Sequence, residues 1–150
     1  MLGLNDTVEM ILKGKGCTVW TIAPELSVYE AIEKMAEKSV GALLVVSEGA
    51  LVGIISERDY ARRVILRGRS SRATAVKEIM TSPVFYVTRQ HTLDECMRIM
   101  NRCRIRHLPV LDGGTLLGIL SIGDLVKWVI SEQEGTIRQL QQYIAGGYPN

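Results

Sequence analysis

The stretch GIISERD at residues 53–59 returns as GILSIGD at residues 118–124, 65 positions further along the chain. In both copies a glycine and two apolar residues lead to a serine, and an aspartate follows three positions after that serine. Each copy follows an apolar run and precedes a helical pattern of apolar residues. We therefore expect each copy to mark the turn from a strand into a helix.

The serine and the aspartate of each copy have two interpretations. Ser-x-x-Asp at a helix start is a capping box, in which the serine oxygen accepts from an exposed backbone N–H and the acid reaches back. A helix N-terminus also attracts phosphate, and an acid one turn in can accept hydrogen bonds from two ribose hydroxyls. For Ser56, Asp59, Ser121 and Asp124 the sequence leaves both interpretations open.

The flanking sequence repeats at the same offset. When residues 19–63 are aligned with 84–128 without a gap, 11 of 45 positions are identical, whereas ordinary residue frequencies give about 3. The matches fall on predicted strand, turn and cap positions. The chain is therefore predicted to hold two strand–helix–strand–strand–helix units, neither of which could bury a sufficient core alone.

Hydrophobic periodicity predicts the elements of each unit. Strands are expected at 17–22, 40–47, 51–55, 84–87, 105–111 and 116–120, and helices at 28–38, 56–67, 92–102 and 121–130. Hairpin turns are expected at 48–49 and 112–114, and Ser27 and Glu30 should form a capping box at the start of the first of these helices. A short helix over 5–13, capped by Asp6 and ended by residues 14–16, should precede them, and a helical turn should cover 76–80. Gly135 is expected to break the last helix before an amphipathic piece with Ile137, Leu140 and Ile144, ending at 146–147.

The predicted fold class is α+β, with two β-α-β-β-α repeats packed face to face about a pseudo-twofold axis. We divide the chain into an N-terminal helix and linker at 1–16, a first repeat at 17–75, a second repeat at 76–130 and a C-terminal helical tail at 131–150.

Composition narrows the class of protein. Apolar residues at 47% and charged residues at 23% are ordinary for a globular protein, and a net charge of +2 demands no polyanionic partner. We expect no signal peptide, since the N-terminus lacks a basic region followed by an apolar run. We also expect no membrane span, since no apolar stretch approaches the roughly 18–20 residues required. Three cysteines without a CxxC predict reduced thiols and a cytoplasmic location, and two histidines offer little for a metal site.

The sequence resembles the cystathionine β-synthase (CBS) domain family over residues 17–129. The resemblance rests on the Gly-apolar-apolar-Ser-x-x-Asp signature, which occurs twice, each time after paired apolar strands. A tandem pair of such domains is called a Bateman module. Residues 56–62, SERDYAR, also look like a subgroup of small stand-alone bacterial proteins. The resemblance implies a two-lobed body with two clefts that bind adenosine-containing ligands: AMP, ADP, ATP, S-adenosylmethionine or NAD. It also implies a disc-shaped dimer in many members.

The resemblance assigns roles to individual residues. The family aspartate holds the ribose and its serine lies by the phosphate or ribose. Adenine lies against the start of the second strand of the opposite repeat, and the ends of the first strands form the other wall. The implied ligand-binding residues are Ser121, Asp124, Ser56, Asp59, Arg58, Ile22, Ala23, Val40, Gly41, Ala42, Val87, Thr88, Ile105, Arg106, His107 and Ile119. For Val40 and Ile105, plain core packing is the alternative.

The two clefts are expected to differ. The cleft of Ser121 and Asp124 should face the small residues 40–42, which leave room for adenine to approach the backbone. The cleft of Ser56 and Asp59 should face the bulkier, positive residues 105–107. The sequence therefore favours the Asp124 cleft as the one that binds ligand.

Six arginines lie between Arg58 and Arg72. They could form a solvated helix face, meet ligand phosphates through Arg58, Arg62 and Arg106, or bind nucleic acid. The favoured function is a non-catalytic adenosyl-ligand sensor that acts on a partner in trans, because no catalytic constellation is evident. A nucleic-acid-binding module using the basic stretch is the alternative.

A homodimer is also expected. The four helices of the repeats carry apolar residues beyond one core stripe, with Tyr60, Val64, Leu125 and Trp128 as examples. Pairing through matching surfaces would bury them.

Overall fold

A computed structural model describes residues 3–16, 18–142 and 144 of the chain. Its helices and strands alternate in two similar halves, which confirms the α+β class. In chain order the elements are α1 (Val8–Lys15), β1 (Thr21–Ile22), α2 (Val28–Lys38), β2 (Ala42–Ser47), β3 (Ala50–Ser56), α3 (Glu57–Tyr60), α4 (Val76–Ile79), α5 (Leu93–Cys103), β4 (His107–Asp112), β5 (Thr115–Ser121) and α6 (Ile122–Gln142).

Each half is built on an antiparallel hairpin. Strand β2 pairs with β3 and β4 pairs with β5 in the same register, so that Val45 lies opposite Gly53 and Val110 opposite Gly118. The turns at 48–49 and 113–114 have positive φ at both central residues, with values of 49° and 78° and of 55° and 85°. Such turns match the right-handed twist of the strands, as the sequence predicted for these positions.

The strand predicted over 84–87 is wrong, because only Val87 pairs there, in parallel with Val110. In the first half the N–H of Leu44 donates to the carbonyl of Trp20 at 3.2 Å. The equivalents 65 residues on are Pro109 and Phe85. Proline has no N–H, so β4 cannot extend this pairing. In the first half the observed strand is Thr21–Ile22, shorter than predicted, and Cys17 lies outside the described residues.

The two halves exchange their leading helices. Helix α1 precedes the first repeat, yet its Val8, Ile11 and Leu12 are buried in the core formed by α5, β4, β5 and α6. Helix α4 precedes the second repeat, yet its Val76 and Ile79 are buried in the core of α2, β2 and β3. Each core is therefore completed by a segment from outside its own repeat.

Matching hydrogen bonds show that α1 and α4 are equivalent elements. The N–H of Val8 donates to the carbonyl of His91 at 2.8 Å, and the N–H of Val76 donates to that of Leu26 at 2.8 Å. His91 and Leu26 are 65 residues apart, as the repeat requires. The exchange locks the halves together, which supports the prediction that neither repeat folds alone.

The repeated glycine lies where an exchanged helix, or the residues that directly follow it, pack against the hairpin. A Cβ atom on Gly53 would be 2.5 Å from Sδ of Met80 and 3.2 Å from the carbonyl oxygen of Thr81. A Cβ atom on Gly118 would be 3.0 Å from Cδ2 of Leu12. The glycine of the repeated motif is therefore explained by packing.

Two helix ends differ from the prediction. Helix α1 begins after Thr7, whose Oγ1 accepts from the N–H of Met10 at 3.4 Å, while Asp6 accepts from the indole N–H of Trp128 at 2.8 Å. It includes residues 14 and 15 and ends at Gly16, where φ is 95°. The predicted break at Gly135 is wrong, because α6 continues to Gln142 and one helical glycine costs only about 1 kcal/mol. The predicted end at 146–147 lies outside the described residues.

Helix α3 continues as a wider, π-helical turn over Ala61–Ile65. The N–H of Leu66 donates to the carbonyl of Ala61 at 3.0 Å, a spacing of five residues. The helix predicted over 56–67 is thus present to residue 65 with an irregular second turn. Such turns are frequent at functional sites.

The apolar residues chosen as examples of a dimer surface are mostly internal. Val64 and Leu125 are fully buried, and Tyr60 and Trp128 pack against the two cores. Other residues of α5 and α6 are exposed instead: Met97, Ile122, Val126, Ile130, Ile137 and Leu140. Within the described residues no helix combines the length and apolarity needed to cross a bilayer.

Candidate functional site

A cavity of about 520 Å³ lies between the two halves. This is within the range of about 300–1,000 Å³ typical of small-molecule sites. One wall is the start of α3 and its π-helical turn, and the other is the loop from α5 into β4. The lining residues are Gly41, Ile54, Ser56, Glu57, Arg58, Asp59, Arg62, Arg63, Thr81, Val84, Phe85, Cys103, Arg104, Ile105, Arg106 and His107.

Asp59 and Ser56 form the capping box at the start of α3. Oγ of Ser56 accepts from the N–H of Asp59 at 3.1 Å, and Oδ2 of Asp59 accepts from the N–H of Ser56 at 2.9 Å. Oδ1 of Asp59 has a longer contact, 3.4 Å, from the hydroxyl of Thr81. One carboxylate oxygen therefore caps the helix, while the other remains available for a stronger donor in the cavity.

The opposite wall is the start of β4, where Ile105, Arg106 and His107 lie as the sequence predicted for this cleft. Gly41 reaches the same cavity, since a Cβ atom on it would be 3.2 Å from Oε1 of Glu57 and 3.7 Å from Nε2 of His107. Burial lowers the pKa of His107, and the effect outweighs the attraction of Asp124. Burial therefore favours the neutral form of this imidazole.

Five arginines line the cavity against the two acids Glu57 and Asp59. Nη1 of Arg63 donates to the carbonyls of Ile79 and Met80 at 2.8 and 3.3 Å, which fixes this guanidinium at the rim. Nη1 of Arg58 donates to the carbonyl of Arg104 at 3.3 Å and so joins the two halves. A guanidinium has five N–H donors, so both side chains keep donors that suit a phosphate.

Two further arginines of the basic stretch, Arg69 and Arg72, contact other side chains of the protein. Arg69 forms an ion pair with Glu78 at 2.6 Å, and the guanidinium of Arg72 stacks 3.8 Å from the centre of the Tyr29 ring. The arginines between 58 and 72 therefore do not share one open surface, which weighs against the nucleic-acid alternative.

In the second cleft, at the start of α6, the aspartate is already paired with a lysine. Oδ2 of Asp124 accepts from the N–H of Ser121 at 2.7 Å and from Nζ of Lys15 at 2.9 Å, and Lys15 also donates to the carbonyl of Ile119. Burial works to raise the pKa of Asp124, but the hydrogen bonds from Lys15 and Ser121 outweigh it and hold this pKa below its usual value. Ser121 and Asp124 line neither the cavity at Asp59 nor a second cavity beside Ile122.

Several predicted binding residues lie outside the cavity lining. Ile22 and Val87 are buried in the two cores, Ala42 is buried in β2, and Val40 packs against the first core. The position of Val40 fits the core packing that was its alternative, and Ile22, Val87 and Ala42 are core residues as well. Ala23 is half-buried, and Thr88 contacts Nδ1 of His91 at 3.0 Å.

The predictions also missed part of the lining. Thr81, Val84 and Phe85 reach the cavity because α4 is exchanged into the first half, and no local pattern in the sequence signals that exchange. Arg63 belongs to the basic stretch, and the π-helical turn places it beside Arg62 at the rim. Cys103 also lines the cavity. Within the described part of the chain, no cluster of His, Cys, Asp or Glu side chains could hold a metal ion.

Known proteins share this arrangement. The CBS domain family model matches residues 17–66 and 76–131, which confirms the predicted resemblance over both repeats. The chain is 40% identical to the mitochondrial CBS domain-containing protein CBSX3 of Arabidopsis thaliana, over 96% of this chain and 74% of that protein.

Two solved structures extend the comparison. A protein with CBS domains from Burkholderia ambifaria is 55% identical and has a TM-score of 0.82 over 85% of this chain and 96% of its own. A hexameric CBS-CP12 protein from bloom-forming cyanobacteria is 30% identical and has a TM-score of 0.73 over 80% of this chain and 69% of its own. With two matched repeats, the same fold and the doubled strand-to-helix signature, the chain belongs to the CBS domain family and carries two such domains in tandem.

Proposed function

We propose that this protein is a non-catalytic sensor that binds an adenine nucleotide, such as AMP, ADP, ATP or NAD, in the cavity of Ser56 and Asp59. The observation that carries the proposal is the pairing, in one cavity, of a carboxylate with a spare oxygen and a group of arginines. A carboxylate suits ribose hydroxyls and guanidinium groups suit phosphates. CBS domain pairs are regulatory modules that commonly bind adenosine ligands, which supports the choice of nucleoside.

The lining suggests how the ligand would lie. Oδ1 of Asp59 would accept from a ribose hydroxyl in place of its long contact with Thr81. The base would lie beside Gly41 and Ile105, which both line the cavity and offer it backbone and apolar surface. The phosphates would lie by Arg62 and Arg106, whose side chains form no protein hydrogen bond among the described residues.

Binding would act on both halves at once, because the cavity has a wall from each. Stand-alone CBS-domain proteins are generally regulatory and non-catalytic, and we extend this to the present chain. Its target would be a separate protein that responds to the changed packing of the halves. The location in the cytoplasm stays a prediction from the cysteine pattern.

The experiment is calorimetric titration of AMP, ADP, ATP and NAD into the wild type, Asp59→Ala and Asp124→Ala. Asp59→Ala should weaken binding by about 1.5–3 kcal/mol, because a charge-assisted contact to the ribose is lost. Asp124→Ala is the matched control in the equivalent position and should leave the affinity unchanged. This reverses the sequence-based preference for the Asp124 cleft, since Lys15 already pairs with that carboxylate.

A larger loss for Asp124→Ala would show that the other cleft binds the nucleotide. Silent calorimetry with all four ligands would refute nucleotide binding. Chromatography of ATP incubated with the protein should show no product, and hydrolysis that follows the purified protein would refute the non-catalytic part of the proposal.

A further inference from the structure

Lys15 does in the second half what Thr81 does in the first. The N–H and carbonyl of Thr81 bond to the backbone of Ile54 at 2.8 and 3.1 Å, and its hydroxyl contacts Asp59. The equivalents of Ile54 and Asp59 are Ile119 and Asp124. The ammonium group of Lys15 contacts both of them, the carbonyl of the first and the carboxylate of the second.

The different lengths of the two exchanged helices explain why Lys15 takes the place of Thr81 in the second half. Val8 and Val76 begin the two exchanged helices, but α1 has eight residues and α4 has four. After α4 the chain leaves the helix and pairs its backbone with β3 at residue 81. Helix α1 is still helical over the same distance, so a long side chain from its last turn reaches the carbonyl of Ile119 instead.

The ammonium group takes the place that a ligand donor would need. The side chains of Lys15 and Asp124 are only 29% and 19% exposed, and their atoms are 2.9 Å apart. A hydrogen bond with one ionised partner is already roughly twice as strong as a neutral one. At Asp124 both partners are ionised, and the contact is shorter than the one at Asp59. A ribose hydroxyl would therefore have to displace a stronger donor from Asp124, whereas at Asp59 it would displace a 3.4 Å contact from a neutral hydroxyl.

We infer that Lys15 acts as an internal ligand of the second cleft and thereby determines that one cleft per chain accepts a nucleotide. The inference rests on the proposed function for the nature of the ligand. According to this inference, a residue of the N-terminal helix α1 determines which cleft binds the nucleotide, although α1 lies outside both matched repeats.

The test counts binding sites by calorimetric titration of ADP into four proteins. The wild type should bind one ADP per chain. Lys15→Met keeps the length of the side chain and removes its charge, and should bind two. The double variant Lys15→Met, Asp124→Asn should return to one, because the released carboxylate is gone. Lys13→Met is the matched control, since Lys13 is exposed on the same last turn and forms no ion pair among the described residues, and it should bind one.

Each outcome decides the matter. The inference would be overturned if the wild type bound two ADP, or if Lys15→Met bound only one. It would also be overturned if Lys15→Met lost binding, a result that would make Lys15 a contact for the phosphates. If the wild type binds no ADP, the proposed function fails for that ligand, but a site gained in Lys15→Met and lost again with Asp124→Asn would still support the inference. Circular dichroism checks the fold, and Lys15→Gln, which keeps a donor for Ile119, replaces Lys15→Met if that variant unfolds.

Discussion

At the scale of single residues, Asp59 and Asp124 differ through their neighbours. Both carboxylates cap a helix through the serine three positions earlier. Beyond its cap, Asp59 accepts a hydrogen bond from no described side chain other than the hydroxyl of Thr81, while Asp124 accepts from the ammonium of Lys15. Two groups with one sequence signature thus have different capacities to accept a new donor.

The ion pair of Lys15 and Asp124 should make stability depend on pH. The folded-state pKa of Asp124 lies below its ordinary value of 3.8, so the pair stabilises the fold above that pH and the stabilisation is lost as pH falls through the folded-state pKa. Lys15→Met should therefore lower the free energy of unfolding by about 1 kcal/mol at pH 7, and by much less at a pH below the folded-state pKa of Asp124. Urea unfolding at both pH values measures this, with Lys13→Met as control. An equal loss at both pH values would contradict it.

Arg106 tests the phosphate side of the cavity. It lines the cavity, and its equivalent in the other repeat is Gly41. Arg106→Ala should weaken ADP binding about tenfold, the effect of about 1.4 kcal/mol expected for one charged contact, and leave adenosine binding unchanged. Arg98→Ala, which removes an exposed partner of Asp94 on α5, is the control. Equal losses for ADP and adenosine would place the phosphates elsewhere.

Much of the candidate site was visible in single residues of the sequence, because the serine and the aspartate recur in both repeats and the resemblance to the CBS family implies the facing residues 105–107. The sequence did not indicate which of the two clefts has a carboxylate free to accept a ligand. The small residues 40–42 favoured the Asp124 cleft, but Lys15 is more than a hundred residues away from Asp124 along the chain. No local pattern indicates that contact, since it depends on the exchange of α1.

At the scale of elements, the exchanged helices explain the glycines of the hairpins. Gly53→Ala should lower the free energy of unfolding by about 1–3 kcal/mol, because the new methyl group would overlap Met80 and the backbone of Thr81. Gly135→Ala is the contrasting control, because a methyl group added there on α6 would meet nothing within 4 Å and alanine favours helix by about 1 kcal/mol. Chemical denaturation compares the two variants. A Gly53→Ala variant as stable as the wild type would refute the close packing of Met80 and Thr81 against Gly53.

The sequence predicted hairpins, turns and capping boxes well, because they depend on local chemistry such as the glycine pair at 113–114 and the Ser27–Glu30 box. It failed at the strand over 84–87, where the missing N–H of Pro109 on a different strand decides the pairing. It also failed at Gly135, since the helical preference of the residues on both sides carries α6 through one glycine.

At the scale of the whole molecule, α5 and α6 leave apolar surface uncovered. Met97, Ile122, Val126 and Ile130 are 37%, 38%, 49% and 48% exposed. Self-association through matching surfaces would bury them, and the hexameric cyanobacterial relative shows that this fold can assemble. A homodimer through α5 and α6 is therefore the assembly that we predict for this chain.

The double variant Val126→Glu, Ile130→Glu should be monomeric, because each chain would bring two carboxylates into the buried interface. Light scattering should give twice the chain mass of 16.6 kDa for the wild type and 16.6 kDa for the variant. Met10→Glu changes an exposed apolar residue of α1 and should remain dimeric. A wild type that is monomeric at every concentration would contradict the dimer, and a dimeric double variant would place the interface elsewhere.

The most direct test of the central claim is a crystal structure of the protein grown with saturating ADP. We predict ribose hydroxyls within hydrogen-bonding distance of Asp59, the base beside Ile105, and phosphates contacting Arg62 or Arg106. The pair of Lys15 and Asp124 should remain intact in the same crystal. Electron density for the nucleotide at Asp124, or an empty cavity at Asp59 under saturating ligand, would contradict the account.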